Sequence, residues 1–345
     1  MHGGYPARVS PDPTRSIEDV PISPEDPPGA IQRLALRRAD ARARRAWADA
    51  DRLRTEIEAA GWNVIDQGTD FHLEPAVAPD VIEDGQVRYG SSVSVPSRLT
   101  EPATDTASVV QVAPDRREAL RRALGDLDLS SRPGTSLIIV ANAPDAEVTE
   151  ALADTETAGS GEVLWLGQRL SPAAAANAGL RRATGSVIVL LDERTGPTGD
   201  VVTPLIEALA DRSVAVAGAF GLDSVDMRRW TPAGPGRVDA LAWGALAFRR
   251  EDLVARSPLD ERFHLRRSLG PWWSLVLRDE GPDSGSRHAL AIALPSGSSP
   301  EPEVDDPSLA RATKRDFYRL IDRFGHRYDL LRSPAPRGGA TAAGR

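Results

Sequence analysis

PAAAANAGLRRATGSVIVLLDER, residues 172–194, decides how the rest of the chain is read. Its first half is alanine-rich and helical, and Pro172 suits the first turn of a helix. Its second half, Ser186 to Leu191, is a short β-branched run that ends on the acids Asp192 and Glu193. Similar runs lie outward on both sides: Val109–Val112, Leu137–Val140 and Val163–Leu166 before it, Val214–Ala217 after it. Helical stretches are read at Arg116–Leu127, Pro172–Ala183 and Val201–Ala210. Short apolar runs that alternate with helices predict an α/β protein, its mostly parallel sheet flanked by helices on both faces. Such sheets take ligands at the carboxyl ends of their strands. Asn142 and Asp192 are therefore expected at the same mouth of the sheet.

Beyond Gly218 the rhythm changes. Ala240–Phe248 and Ala289–Leu294 read as strands, Glu251–Ala255 and Trp272–Arg278 as helices. Arg311–Phe324 reads as an amphipathic helix with Phe317, Leu320, Ile321 and Phe324 on one face. On the other side, residues 74–105 carry Pro75, Pro79, Pro96 and Pro102 in polar sequence and read as a linker. Residues 29–73 read as a small helical module. Ala43, Ala46, Ala50, Leu53, Ile57 and Ala60 share one helical face, Gly61 ends it, and a hairpin turns at Gly68. The full expected order is a disordered tail 1–28, the module 29–73, the linker 74–105, a sheet domain 106–296, a helical segment 297–332 and a second tail 333–345.

Composition excludes several function classes. The 345 residues include no cysteine, so disulfides, iron–sulfur clusters and thiolate zinc sites are ruled out. Five histidines make a poor basis for a histidine-rich metal site. With 42 basic against 50 acidic residues the net charge is -8, which argues against electrostatic nucleic-acid binding by the whole chain. No apolar run is long enough to span a bilayer. The first sixteen residues lack the apolar core of a secretory signal, so a cytoplasmic location is expected. Lys314 is the sole lysine; arginine supplies all other basic charge.

Three motifs in order resemble glycosyltransferase family 2. Asn177-Ala178-Gly179 through Gly185, followed by Val187–Leu191 and Asp192, resembles its helix, strand and acidic turn. Gly244–Arg250 followed by Leu259-Asp260-Glu261-Arg262-Phe263 is similar to its acceptor-side strand and D-E-x-F turn. Ser274–Gly281 resembles its helix that ends at a glycine. The resemblance covers about residues 106–296 and implies a GT-A-like, Rossmann-like fold that transfers sugar from a nucleotide-sugar donor to an acceptor. It implies that Asp192, Glu193 and Arg194 sit at the donor, joined by Asn142 and Asn177. Asp192 would hold ribose or a metal, Mn2+ or Mg2+, through oxygen ligands.

This chain departs from that pattern at three positions. Arg194 stands where the family has its metal-side acid, so it either neutralises the diphosphate or lies on the surface. Ala141 stands where the family has a uracil-contacting Asp. Gly270 stands at the catalytic base, which leaves the catalytic residue unknown and allows a non-catalytic relative that binds a nucleotide sugar, a glycan or a partner protein. Asp260 and Glu261 read as solvated or capping acids. Asn177 either contacts nucleotide or packs its helix, and Trp272 and Trp273 form either a sugar platform or core. His264 and His288 have no partner spacing. Separately, Arg44 to Gly61 and the Asp66-to-Thr69 hairpin resemble the C-terminal helical tail of cysteinyl-tRNA synthetases. That implies a possible RNA contact, against which the acids among the eight arginines from Arg33 to Arg54 and the acidic chain weigh.

Overall fold

The computed structural model describes residues 27–67, 70–83, 85–127, 133–157, 161–263, 265–281, 287–295 and 310–333. Most of both expected tails, the Gly68 turn and His264 lie outside the described residues. The chain divides into two units, residues 1–87 and 88–345. That division falls inside the stretch read as a linker.

In the first unit, α1 (Gly29–Ala43) and α2 (Trp47–Ala59) precede the antiparallel hairpin of β1 (Trp62–Gln67) and β2 (Asp70–Pro75), then a short β3 (Val81–Glu83). The single helical face read from Ala43 to Ala60 is broken. Arg45 adopts φ 60°, a left-handed conformation that a helix does not continue through. Ala46 becomes the residue before α2, and Ala60 lies exposed beyond its end. The buried contacts are instead Ile31, Ala35, Ile57 and Val64 in one cluster and Ala41, Ala50 and Leu53 in another. Small alanines let the two helices approach closely. Arginines of this unit meet acids of the same unit: Arg44 with Asp40 at 2.9 Å, Arg52 with Glu56 and Arg54 with Glu58 at 2.7 Å. Arg38 forks onto Asp66 at 2.8 and 3.0 Å, with Arg42 on the same carboxylate.

In the second unit the first half is β4 (Gln86–Tyr89), β5 (Asp105–Val112), α3 (Arg117–Leu127), β6 (Thr135–Asn142), α4 (Ala146–Thr157), β7 (Glu162–Leu166), α5 (Pro172–Leu180) and β8 (Gly185–Leu191). Next come α6 (Val202–Ala208), β9 (Val214–Gly218), β10 (Gly221–Asp223), β11 (Thr231–Ala233), β12 (Gly236–Val238), β13 (Ala240–Leu241) and β14 (Ala245–Arg249). The unit closes with α7 (Arg250–Arg256), α8 (Arg266–Arg278), β15 (His288–Ala291) and α9 (Ala310–Phe324). The sheet runs β12-β15-β9-β14-β8-β5-β6-β7-β4. Strands β8, β5, β6, β7 and β4 are mutually parallel, while β14 runs antiparallel between β8 and β9. Strand residues are buried on alternate faces. Val110, Ile138 and Leu190 pack with α5 and α8, whereas Ile139, Ala141 and Trp165 pack with α3 and α4. This is the expected α/β fold, with helices on both faces.

Three details position the site. First, α5 lies tight on the sheet: a Cβ at Gly179 would fall 2.4 Å from a Val110 methyl. Second, the strand expected over Ala240–Phe248 is two strands, with Ala242, Trp243 and Gly244 between them. Third, α8 begins six residues before the expected Trp272. Its tryptophans are core, not a platform: Trp273 meets Phe248 edge-on at 5.5 Å, and Trp272 lies between Phe263 and Phe324. Buried Arg249, Arg250 and Arg278 tie loops together by donating to backbone carbonyls, Arg250 to those of Ala183, Arg98 and Glu101. No helix among the described residues is long and apolar enough to cross a membrane.

The Arg38–Asp66 fork gives the first unit an acid limb. Its hydrogen bonds, then its charge, lower the Asp66 carboxyl to about 2. An unfolded Asp titrates near ~3.9. A lowered acid adds stability above the unfolded value and loses it as pH falls through the folded one. Asp66→Asn should therefore be less stable than the parent at neutral pH, with the difference shrinking between about pH 4 and pH 2. Denaturant melts at pH 7, 4 and 2, followed by circular dichroism, check this; a difference constant with pH would contradict it.

Candidate functional site

The parallel strands β5, β6, β7 and β8 all end at one edge of the sheet, and a cleft of about 650 Å³ opens there. The segments that follow those strands line it: Asp115 and Arg116 after β5, Asn142 at the end of β6, Arg169 after β7, and Glu193 to Thr198 after β8. The first residue of α8, Arg266, closes it.

Asp192 is buried beside this cleft and its charge is answered twice. One carboxylate oxygen accepts from the indole of Trp243 at 3.0 Å and the other from Nε of Arg266 at 2.9 Å. Both partners arrive for backbone reasons. Strand β14 pairs antiparallel with β8 with Ala245 opposite Leu191, so the residues before Ala245 come alongside Asp192, and the Asp192 amide donates to the Gly244 carbonyl at 3.0 Å. Arg266 comes from α8, whose Gly270 and Ser274 follow at helical spacing. A Cβ at Gly270 would lie 2.4 Å from the Trp243 nitrogen and 2.5 Å from the Leu241 oxygen. Ser274 accepts from the Leu241 amide at 3.0 Å. One stripe of α8 thus rests on backbone and delivers its guanidinium to Asp192.

Arg266 also donates to Glu193 at 2.6 Å, and Glu193 accepts from Arg169 at 2.8 Å. Arg169 in turn forks onto Asp115 at 2.5 and 3.0 Å. Burial raises the Glu193 carboxyl above its ordinary range; Arg266 and Arg169 pull it down and Asp192 pushes it up. The Arg169 guanidinium is held further up by its bonds to Asp115.

The structure brings Asp192, Glu193, Arg194 and Asn142 together and leaves Asn177 elsewhere. Asn142 holds the loop after β7, donating to the Leu170 carbonyl at 3.2 Å and accepting from its amide at 2.8 Å. Asn177 is buried and bonds both ways to the backbone of Leu259, and to Glu261 at 2.8 Å. That is the packing alternative, and it fixes the D-E-x-F turn to α5. Arg194 is exposed on the cleft wall. Ala141 is buried in the core that α3 and α4 form on the sheet and does not line the cleft. A divalent cation does not fit the acidic turn. Both oxygens of Asp192 and both of Glu193 are engaged by nitrogen donors, and no group of three His, Asp or Glu among the described residues is placed to hold a metal. The metal role read for Asp192 is therefore taken by hydrogen bonds. The functional residues missed in the sequence are Arg169 and Arg266. Arg169 follows the third strand, where a parallel sheet opens, and that position was its available signal.

The comparisons bear on the fold. Residues 108–261 match the family model of glycosyl transferase family 2. No curated protein matches the chain. Among solved structures, GalNAc-T7 with UDP, GalNAc and Mn2+ is similar at 16% identity and TM-score 0.51, over 65% of this chain and 49% of that one. The chain thus spans about half the length of that structure, and the likeness shows a GT-A fold. The mannosyltransferase PcManGT from Pyrobaculum calidifontis, in complex with GDP-Man and Mn2+, is similar at 16% identity and TM-score 0.41, over 58% and 59%. S. aureus TarS in complex with UDP-GlcNAc follows at 11% and 0.45, over 63% and 64%.

Gly270 generates a prediction. Gly270→Asp places the family's acid where the backbone of Leu241–Trp243 already lies. Overpacking alone costs about 1–3 kcal/mol, and an unpaired buried carboxylate adds to it. The variant should melt well below the parent, and Gly270→Ala should fall in the same direction. A parental melting temperature for Gly270→Asp would show that α8 has room there.

Proposed function

We propose that this chain binds a nucleotide sugar in the cleft at the ends of β5–β8 and acts as a glycosyltransferase toward an acceptor not yet named. The observation that carries the reading is the charge of the cleft. Five guanidiniums, of Arg116, Arg122, Arg169, Arg194 and Arg266, line it against the carboxylates of Asp115 and Glu193, in a chain whose net charge is -8. Guanidinium forks match phosphate oxygens. An excess of them at the carboxyl edge of a parallel sheet suits a diphosphate, with the nucleoside and sugar to either side. The family match over residues 108–261 and the GT-A fold support the same ligand. Transfer requires that the leaving diphosphate be stabilised as its charge develops, and the arginines supply that. The cytoplasm is the compartment proposed with this reading.

One observation favours a second reading. Gly270 offers no proton acceptor at the family's base position, and Asp260 and Glu261 are held in their turn, Asp260 by Arg262 and Glu261 by Asn177. On that ground the protein is a non-catalytic relative that binds a nucleotide sugar and presents it, or a partner surface, without transfer. An RNA role for residues 29–73 has less behind it, because Arg38, Arg42, Arg44, Arg52 and Arg54 are paired with acids of their own unit.

A thermal-shift screen of UDP- and GDP-sugars tests the shared claim. Ligand at a hundredfold excess over Kd should add about 2.7 kcal/mol to stability. Release of nucleoside diphosphate from the stabilising sugar nucleotide, measured with and without candidate glycan acceptors, then separates the two readings. Turnover supports the transferase; binding without turnover supports the non-catalytic relative; no stabilisation by any nucleotide sugar removes both.

A further inference from the structure

The acidic turn and the cations around it are arranged in the reverse sense from a metal site. A divalent cation that bridges a diphosphate needs one or two carboxylates open to it beside the phosphate oxygens. Here the cleft wall carries three more positive than negative side chains. Its two buried acids at the end of β8 share one guanidinium, Arg266, which touches Asp192 at 2.9 Å and Glu193 at 2.6 Å. A fork with five N–H donors that spends one Nε and one Nη on these acids keeps a further Nη for a ligand. The side chain of Arg266 is 17% exposed, and it lines the cleft. Arg169, 46% exposed, repeats the pattern from the facing loop, with Glu193 and Asp115 holding it from behind.

We propose that Arg266, backed by Asp192 and Glu193 and joined by Arg169 and Arg194, stands in the place of a divalent cation, so that this cleft binds the diphosphate of its nucleotide without metal. The proposal rests on the nucleotide-sugar reading above and specifies how that site works. The acids have changed office. They position guanidiniums, which in turn meet phosphate; a bare cation approaching the cleft meets net positive charge, and the carboxylates that line it, Asp115 and Glu193, are each already held by a guanidinium. Arg266 and Arg169 arrive already oriented by charged hydrogen bonds, so little rotamer freedom is lost when an anion enters.

Calorimetry on the full chain tests this with inorganic pyrophosphate, UDP, GDP and the free nucleosides, each in EDTA and in Mn2+ at fixed ionic strength. Pyrophosphate and at least one nucleoside diphosphate should bind in EDTA within about threefold of their affinity in Mn2+. Arg194→Ala and Arg169→Gln should each weaken pyrophosphate and that diphosphate roughly tenfold or more, the range for a hydrogen bond to a charged group. The same variants should leave the nucleoside within about twofold. Arg266→Gln leaves two buried acids short of a partner and risks the fold. Arg266→Lys keeps the charge and loses the fork, and should weaken pyrophosphate while retaining the parental melt. A diphosphate that binds only when Mn2+ is present overturns the proposal and leaves the nucleotide-sugar reading standing. Full parental affinity in Arg169→Gln, Arg194→Ala and Arg266→Lys also overturns it. No binding of any nucleotide or sugar nucleotide, in either condition, overturns the reading and the proposal together.

Discussion

Asp192 is a carboxylate with almost no access to water, at the end of the strand on which the sheet turns. A charge in that position is costly unless it is both paired and hydrogen-bonded. The molecule meets the requirement with two donors from opposite directions, the Trp243 indole and the Arg266 guanidinium. Much else follows from supplying them. The strand read as continuous over Ala240–Phe248 must break so that Trp243 can face Asp192. Helix α8 must begin early enough to carry Arg266, and it must lie on backbone to bring that residue within reach. Asp316 of α9, itself fully buried, takes the Leu265 amide at 2.9 Å and fixes the helix start.

The fold was legible because its signal is repetitive. Runs such as Val109–Val112 and Ile188–Leu191 are buried on both faces and read as near-continuous apolar sequence, and the helices between them have apolar faces. What escaped was the helix α4, whose apolar face is weak, together with elements that are short or locally contradicted. Strands β10 to β12 have three residues each, too few for a period to show. The apparent helical face through Ala43 and Ala46 was broken by the backbone of Arg45, a conformation that side-chain spacing does not reveal. At the site, Asp192, Glu193 and Arg194 announced themselves by position after a strand. Arg266 did not, because its contact with Asp192 spans 74 residues and depends on how closely a helix can lie.

Arginine has two kinds of work in this chain. Arg249, Arg250 and Arg278 are buried and donate to backbone carbonyl oxygens, stitching loops to the sheet. Burial lowers Arg278 to about 10, still charged at neutral pH. In the cleft the same fork is turned outward. A planar group with several fixed donors can satisfy a protein acid with one edge and a ligand with another, which an ammonium does less well. A chain with a single lysine has few other means to build either feature.

Gly270 has an outcome for the history and engineering of the molecule. In the genetic code a single base change converts a glycine codon to one for aspartate or alanine, so the step toward an acid is short in mutational distance. In space it is barred, since any β-carbon meets the main chain of the neighbouring strand link. A lineage or a designer seeking proton-abstracting chemistry in this cleft would have to move the whole helix or recruit a carboxylate from another loop. The close seat that delivers one cation has made the position beside it one-way.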